Sequence, residues 1–353
     1  YVDENGFIDD IDTSTGLTGE WCHYVNAIGQ YLIYHAYLVI GGQVIDSMYN
    51  DFLYFWEELA GQPGKRLTEM IGKRYTKSQL VEDSRQTRKL YVPLQWWFTQ
   101  ISGNALPLVS LQFHSVQVFV QFSALKECIQ VSHSDVNPVK CSDCTSLTNQ
   151  DMQAYLDTTY VYLDVEERDR FATGSFEQLV TQVQQYTQAA RSASVRVVLN
   201  FNHPIIELIW AVRRECQRVV GNHFNYSGFA NKDPISSVQL RLNNQARFSQ
   251  REGRYFRLVV PYQVHTNIPD GFIYCFSFAL HPEDSQPSGS CNFSRIDNVE
   301  MILDIQKELS NTDILVIIFG RSWNIFRFRD GLGGLAFANK IALTDAFEGQ
   351  LVF

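Results

Sequence analysis

Strict two-residue alternation limits what this chain can fold into more than any other feature. Val116, Val118, Val120 and Phe122 alternate with Gln117, Phe119 and Gln121, and Val195, Val197, Leu199 and Phe201 alternate with Arg196, Val198, Asn200 and Asn202. Successive side chains of a strand point to opposite faces, so runs of this kind read as β-strands. Similar runs at 239–243, 256–260, 274–278, 301–305 and 314–319 are spaced as in an antiparallel sandwich. The expected fold is all-β, with a few short helices.

Two segments depart from the alternation. Phe52, Phe55, Trp56 and Leu59 fall at i, i+3, i+4 and i+7, with Asp51 as the expected N-cap and Gly61, Pro63 and Gly64 ending the run. This predicts a short amphipathic helix packed on a sheet. Further on, Ser175 and Gln178 have the spacing of a capping box, and Phe176, Leu179, Val180, Val183 and Tyr186 form an apolar stripe. With the small polar residues of 187–194 behind it, this reads as a helix joining two domains. The expected organisation is a first domain at 1–172, a connector helix at 173–194 and a second domain at 195–353. A faint repeat supports the division: Leu90-Tyr-Val-Pro93-Leu-Gln95 and Leu258-Val-Val-Pro261-Tyr-Gln263 are each followed by a loop with a proline, Pro107 or Pro269, and then by an alternating run. Pro93 and Pro261 are accordingly expected at equivalent strand ends.

The stretch Gln286-Pro-Ser-Gly-Ser-Cys-Asn-Phe-Ser-Arg-Ile-Asp297 reads as a rigid corner. Pro287 fixes one backbone dihedral, Gly289 permits a strained one, and Ser288, Ser290 and Asn292 can bond their own backbone. Arg295 and Asp297, two apart, are expected on one strand face as a charged pair, with Asn292 buried.

The corner follows Asn243-Asn-Gln-Ala-Arg-Phe248, Tyr255-Phe-Arg-Leu-Val-Val-Pro-Tyr-Gln263, His265-Thr-Asn-Ile-Pro269 and Ile273-Tyr-Cys-Phe-Ser-Phe-Ala-Leu280. Earlier in the chain lie Ile40-Gly-Gly-Gln-Val-Ile-Asp46, Leu90-Tyr-Val-Pro-Leu94, Ala105-Leu-Pro-Leu108, Tyr162-Leu-Asp-Val-Glu-Glu-Arg168 and Asn200-Phe-Asn-His-Pro204, and Gly331-Leu-Gly-Gly-Leu-Ala-Phe-Ala-Asn339 comes near the end. In order and spacing this series resembles the major capsid proteins of the nucleocytoplasmic large DNA viruses. The resemblance implies two consecutive eight-stranded antiparallel jelly rolls side by side in one subunit. It also implies homotrimers that act as pseudo-hexameric capsomers and tile the icosahedral shell of a large double-stranded DNA virus, assembled in the host cytoplasm. The expected partners are further copies of the chain, minor capsid proteins and glycans, with no cofactor and no catalytic residue. The residues expected to matter are structural: Pro287, Gly289, Asn292, Arg295 and Asp297 at the corner, Pro93 and Pro261, and Gly41 and Gly42 in the first domain. Against the family pattern, the chain starts near what resembles the third or fourth strand of the first jelly roll, and residues 340–353 do not align. The alternative reading is a minor capsid or vertex protein, or a glycan-binding virion module with Trp96 and Trp97 as its platform.

Composition narrows the function. A formal net charge of −9, with the basic pairs near 65, 73 and 85–89 broken up by Glu69, Glu82 and Asp83, argues against phosphate-backbone binding. No apolar run approaches the roughly 18–20 residues of a membrane-spanning helix. Seven scattered cysteines suggest free thiols more than a disulfide framework.

Chemical constellations are weak. Cys141 and Cys144, with His133 nearby, have the spacing of half a zinc site but lack a second cysteine pair. His203 and Glu207 form too small a set for a cupin-like metal centre, so a hydrogen-bonded structural histidine is expected. The acidic run Asp164, Glu166, Glu167 and Asp169, interleaved with Arg168 and Arg170, reads as a salt-bridged strand end or turn. Gly331 to Gly334 lacks the residues of a phosphate loop. Sequons stand at Asn225 and Asn292, and Asn225, in a Gly/Asn/Ser-rich loop, is the candidate glycosylation site.

Overall fold

The structure, a computed structural model, describes residues 21–133, 137–138, 152–219, 222–338 and 350–352. The first half contains β1 (Trp21–Tyr24), β2 (Ile33–Ile40), β3 (Gln43–Tyr49), β4 (Val116–Phe122), β5 (Ile129–His133) and β6 (Asn137–Pro138). The second contains β7 (Phe176–Ala190), β8 (Ser194–Val198), β9 (Pro204–Arg214), β10 (Ile235–Leu242), β11 (Gln245–Ala246), β12 (Arg251–Glu252), β13 (Tyr274–Ser277), β14 (Cys291–Asn292), β15 (Val299–Ile305), β16 (Ile314–Arg329) and β17 (Leu332–Leu335). Near the C-terminus β18 (Gln350–Val352) returns to the first half and pairs with β4, completing the sheet β18-β4-β2-β3. A second sheet, β1-β5-β6, belongs to the same half.

Gly41 and Gly42 make the β2–β3 turn. Their φ values of +59° and +78° give the two-residue geometry whose twist matches a hairpin. A Cβ on Gly41 would also stand 2.4 Å from His114 Nδ1, so position 41 disfavours other residues on two counts, whereas a Cβ on Gly42 would meet open space.

In the second half, β10, β15 and β8 form one sheet with β11 and β12 at its edge, while β13, β9, β16 and β7 lie side by side in the other. Val195, Val197, Val238, Leu240, Met301 and Leu303 face Leu208, Trp210, Val212, Val316 and Ile318 in one continuous core. Strands β9 and β16 are buried on both faces, which explains why they read as near-continuous apolar runs rather than clean alternation.

Several expectations are corrected. The segment predicted as a connector helix is strand β7, antiparallel to β16 over its whole length from Phe176–Phe328 to Ala190–Ile314. The stripe follows the helical period, and pairing with the sixteen-residue β16 over all fifteen residues of β7 overrides it. The run at 256–260 is helical: a π-turn at Tyr255–Val259 continues as a helix at Val260–Val264. Pro261 therefore sits inside a continuous helical stretch, where the π-turn passes into the helix, and not at a strand end. Pro93 lies in an extended stretch outside any strand. The proposed repeat thus joins a helix to a coil. The acidic run is the exposed helix Val165–Thr173.

The helix predicted near 52 is present at Asn50–Ala60 and ends at Gly61 as expected, although Tyr49 takes the N-cap position and Asp51 is buried in the first turn.

Candidate functional site

Helix Asn50–Ala60 belongs to the first half but packs on the second. Phe319 of β16 meets Phe52 and Phe55 at ring separations of 5.5 and 5.6 Å, and Phe55 meets Tyr226 at 5.1 Å. Fully burying each such ring contributes about 2–3 kcal/mol, so this seam joins the halves as strongly as a core. On β9 and β16 the residues facing it are Glu207, Ile209, Ala211, Arg213, Ile317, Phe319 and Arg321, paired across the two strands.

Charged clusters close the seam at both ends. At one, the Asp51 carboxylate accepts from Arg213 Nη1 at 2.9 Å and from the Tyr226 hydroxyl at 2.5 Å, with His223 Nε2 3.3 Å away. Burial alone would raise the Asp51 carboxyl, but Arg213 and His223 outweigh it and hold the group well below the usual carboxylate range. At the other end Arg321 Nη1 donates to Glu207 Oε1 at 2.5 Å and to the Pro282 carbonyl at 3.0 Å, and its guanidinium lies 4.0 Å over the Trp56 ring. His265 Nε2 stands 2.9 Å from Glu207 Oε2, and its Nδ1 2.9 Å from Glu283 Oε1. Burial opposes charge at both groups, yet their mutual attraction carries His265 up to about 12 and, with Arg321, brings Glu207 down to about 2. Glu207 is therefore committed to an ion cluster, and His203 lies apart from it: the His203 N–H donates to Ser294 Oγ and its carbonyl accepts from Phe293 N–H.

A third contact links the halves through backbone. Strand β7 has a free edge towards the first half, and there the buried Asp46 carboxylate accepts from Val183 N–H at 3.0 Å and from Ser47 N–H at 2.9 Å. Gln182 Nε2 donates to the Ile45 carbonyl beside it. An orphan edge donor is thus satisfied by a side chain. Burial pushes the Asp46 carboxyl up to about 7.

The corner residues lie around β14 and the turn that follows it. β14 pairs Cys291 with Ile205 and Asn292 with Pro204, and the Asn292 side chain caps the following turn by accepting from Ser294 N–H at 3.0 Å. Gly289 has φ +147°, and a Cβ there would meet the Phe278 carbonyl at 2.6 Å. Pro287 is exposed. Two details differ from expectation: Asn292 is exposed, and Arg295 and Asp297 form no ion pair with each other among the described residues, because a 3-10 turn at Phe293–Arg295 replaces the strand that would have aligned them. Trp96 and Trp97 are core residues, 2% and 3% exposed. Asn225 is half-buried, and Tyr226 and Ser227 after it are each 1% exposed. Gly331 to Gly334 form the β16–β17 hairpin. Cys141, Cys144 and Asn339 lie outside the described residues.

Two sandwiches are thus joined through a seam of packed rings closed by ion clusters. Residues 167–334 match the family model of the large eukaryotic DNA virus major capsid protein, and residues 8–164 match that of the major capsid protein N-terminus. The major capsid protein of Pyramimonas orientalis virus is 35% identical, over 94% of this chain and 81% of its own length. The chain belongs to the large eukaryotic DNA virus major capsid protein family. The major capsid protein of Paramecium bursaria Chlorella virus 1 is 30% identical, over 87% of this chain and 79% of that protein. A subunit of the PBCV-1 virus capsid superposes with a TM-score of 0.72 at 27% identity, covering 91% of this chain and 88% of the other. The Faustovirus major capsid protein shares the fold at a TM-score of 0.65 and 12% identity, over 87% of this chain and 73% of that one. The architecture is accordingly a double jelly roll, and the chain is a structural component of a virus capsid.

Sequence reading marked the corner as a turn and singled out Gly41 and Gly42 without the hairpin they make. It missed both charge clusters and Asp46, whose partners lie more than 50 residues away.

Proposed function

We propose that three copies of this chain associate into a capsomer of nearly six-sided outline, and that such capsomers pack edge to edge into an icosahedral shell. The carrying observation is the seam: two similar sandwiches held as one body by helix Asn50–Ala60, Asp51–Arg213 and Glu207–Arg321. Three rigid pairs of sandwiches supply six comparable modules about one axis, and a closed ring of identical heterologous contacts satisfies every copy. We assign the first sandwich to 1–172, joined by β18 near the C-terminus, and the second to β7 through β17; the meeting of the two family models between 164 and 167 supports this boundary.

In this reading the chain has no catalytic task. It assembles in the host cytoplasm, minor capsid proteins bind its outer flanks, and glycans attach to exposed loops. Solution mass by light scattering tests the trimer: three times the 40.6 kDa subunit is expected, and a persistent single-subunit mass would remove the reading.

A further inference from the structure

The trimeric reading leaves open which surfaces join the copies, and two unlike features of this chain fit one another. Residues 152–164 have no regular structure and run into the exposed helix Val165–Thr173 as a strap. Tyr162 is 92% exposed, and Tyr160, Val161 and Val165 are 60% exposed or more. Isolated exposed apolar residues are ordinary, but four within six positions make a patch that asks for a cover. Between 157 and 170 the strap carries five carboxylates and two arginines. Near its far end Ser110 Oγ donates to the Phe171 carbonyl and fixes the strap to the body.

The complementary feature is a concave pocket of about 430 Å³ beside β12 and the helical turn Tyr255–Val259. Lys232, Asp233, Glu252, Arg254, Arg257 and Phe272 line it. Arg257 is held by Asp233 at 2.8 Å and stands 5.0 Å over the Phe272 ring, whereas Arg254 is exposed and only 3.9 Å from the same carboxylate. Lys232, Arg254 and Arg257 against Asp233 and Glu252 leave the lining one positive charge in excess, and Arg247 and Arg251 add to the basic character of the same segment. A tyrosine ring entering here meets an aromatic wall and a guanidinium, and flanking carboxylates meet Lys232 and Arg254.

We propose that the strap of one copy docks into this pocket on the next copy, with Tyr162 inserted and Asp164, Glu166 and Glu167 on the arginine rim; this rests on the trimeric reading above and names its contact surfaces. The contact is heterologous, since the two surfaces differ, and a threefold rotation closes it into a ring. Rim charges of this kind chiefly set register and encounter rate, while the inserted ring supplies the buried anchor.

The test uses the full chain with the photo-cross-linker p-benzoylphenylalanine at position 162. Illumination of the assembled oligomer is expected to link position 162 of one copy to the 232–272 segment of another, identified by peptide mass spectrometry. A trimer whose links fall elsewhere overturns the contact and leaves the trimeric reading standing, whereas a chain that stays monomeric overturns both. Arg251→Glu with Arg254→Glu is expected to raise the dissociation constant at least tenfold, and adding Glu166→Arg with Glu167→Arg to the same chain to restore it. All four side chains are exposed, so the folded monomer is retained. Failure of the second pair to rescue the first overturns the pairing.

Discussion

Asp46 gives the sharpest test of how the halves are joined. Its carboxyl is buried, 2% exposed, and accepts two backbone N–H bonds; burial outweighs these bonds and the charge of Arg321, so its pKa stands at about 7 against 3.8 for the free side chain. A group raised in the folded state contributes stability that is complete below the unfolded pKa and is lost as pH rises through the folded one. Between pH 4 and 7 the unfolded chain releases this proton while the folded chain keeps it, and stability falls with pH. Three units correspond to about 4 kcal/mol. Asp46→Asn keeps an oxygen acceptor for Val183 N–H and removes the titration. Urea denaturation followed by tryptophan fluorescence at pH 4, 5, 6, 7 and 8 reads the difference directly. The variant is expected to match the parent near pH 4 and to exceed its stability by an amount that grows to about 4 kcal/mol above pH 7. A constant offset between the two curves across this range would refute the reasoning, because Asp46 would then not be the group that titrates.

Other outcomes follow from the same geometry. Arg321→Met leaves Glu207 buried beside His265 with one partner gone and is expected to cost about 3–5 kcal/mol in denaturant titration. Gly41→Ala, strained by positive φ and by the approach to His114, is expected to lower stability by about 1–3 kcal/mol, seen as a reduced Tm. Acid acts oppositely to the Asp46 effect at Glu207: its depressed pKa means that stability is lost as pH falls from about 4.5 towards 2, and Glu207→Gln should flatten that limb.

How much of this was legible in the chain depends on where each signal resides. Strand β4 was read to the residue because its inner and outer faces differ in polarity, and helix Asn50–Ala60 because four large apolar side chains share one face. Strand β7 was misread because Phe176, Val180 and Val183 share one face of a helix, whereas the pleat puts Val183 opposite the other two, and only β16 alongside imposes the pleat. The turn at Tyr255–Val259 and the helix after it failed for the reverse reason: Val259 and Val260 suggest a strand, whereas Phe256 and Val260 bury one helical face under Trp210. The corner was legible as a turn from Pro287 and Gly289, but the 3-10 twist that exposes Asn292 and separates Arg295 from Asp297 was not. The seam was invisible. Asp51 and Arg213, like Glu207 and Arg321, are ordinary charged residues in sequence, and no local pattern announces a partner more than 100 positions away.

The central claim is that twin sandwiches locked into one body associate three at a time. Electron microscopy of the purified full chain tests it most directly: averaged particles should be threefold blocks with a nearly hexagonal outline. Single two-lobed particles at concentrations well above those needed for assembly would contradict the account.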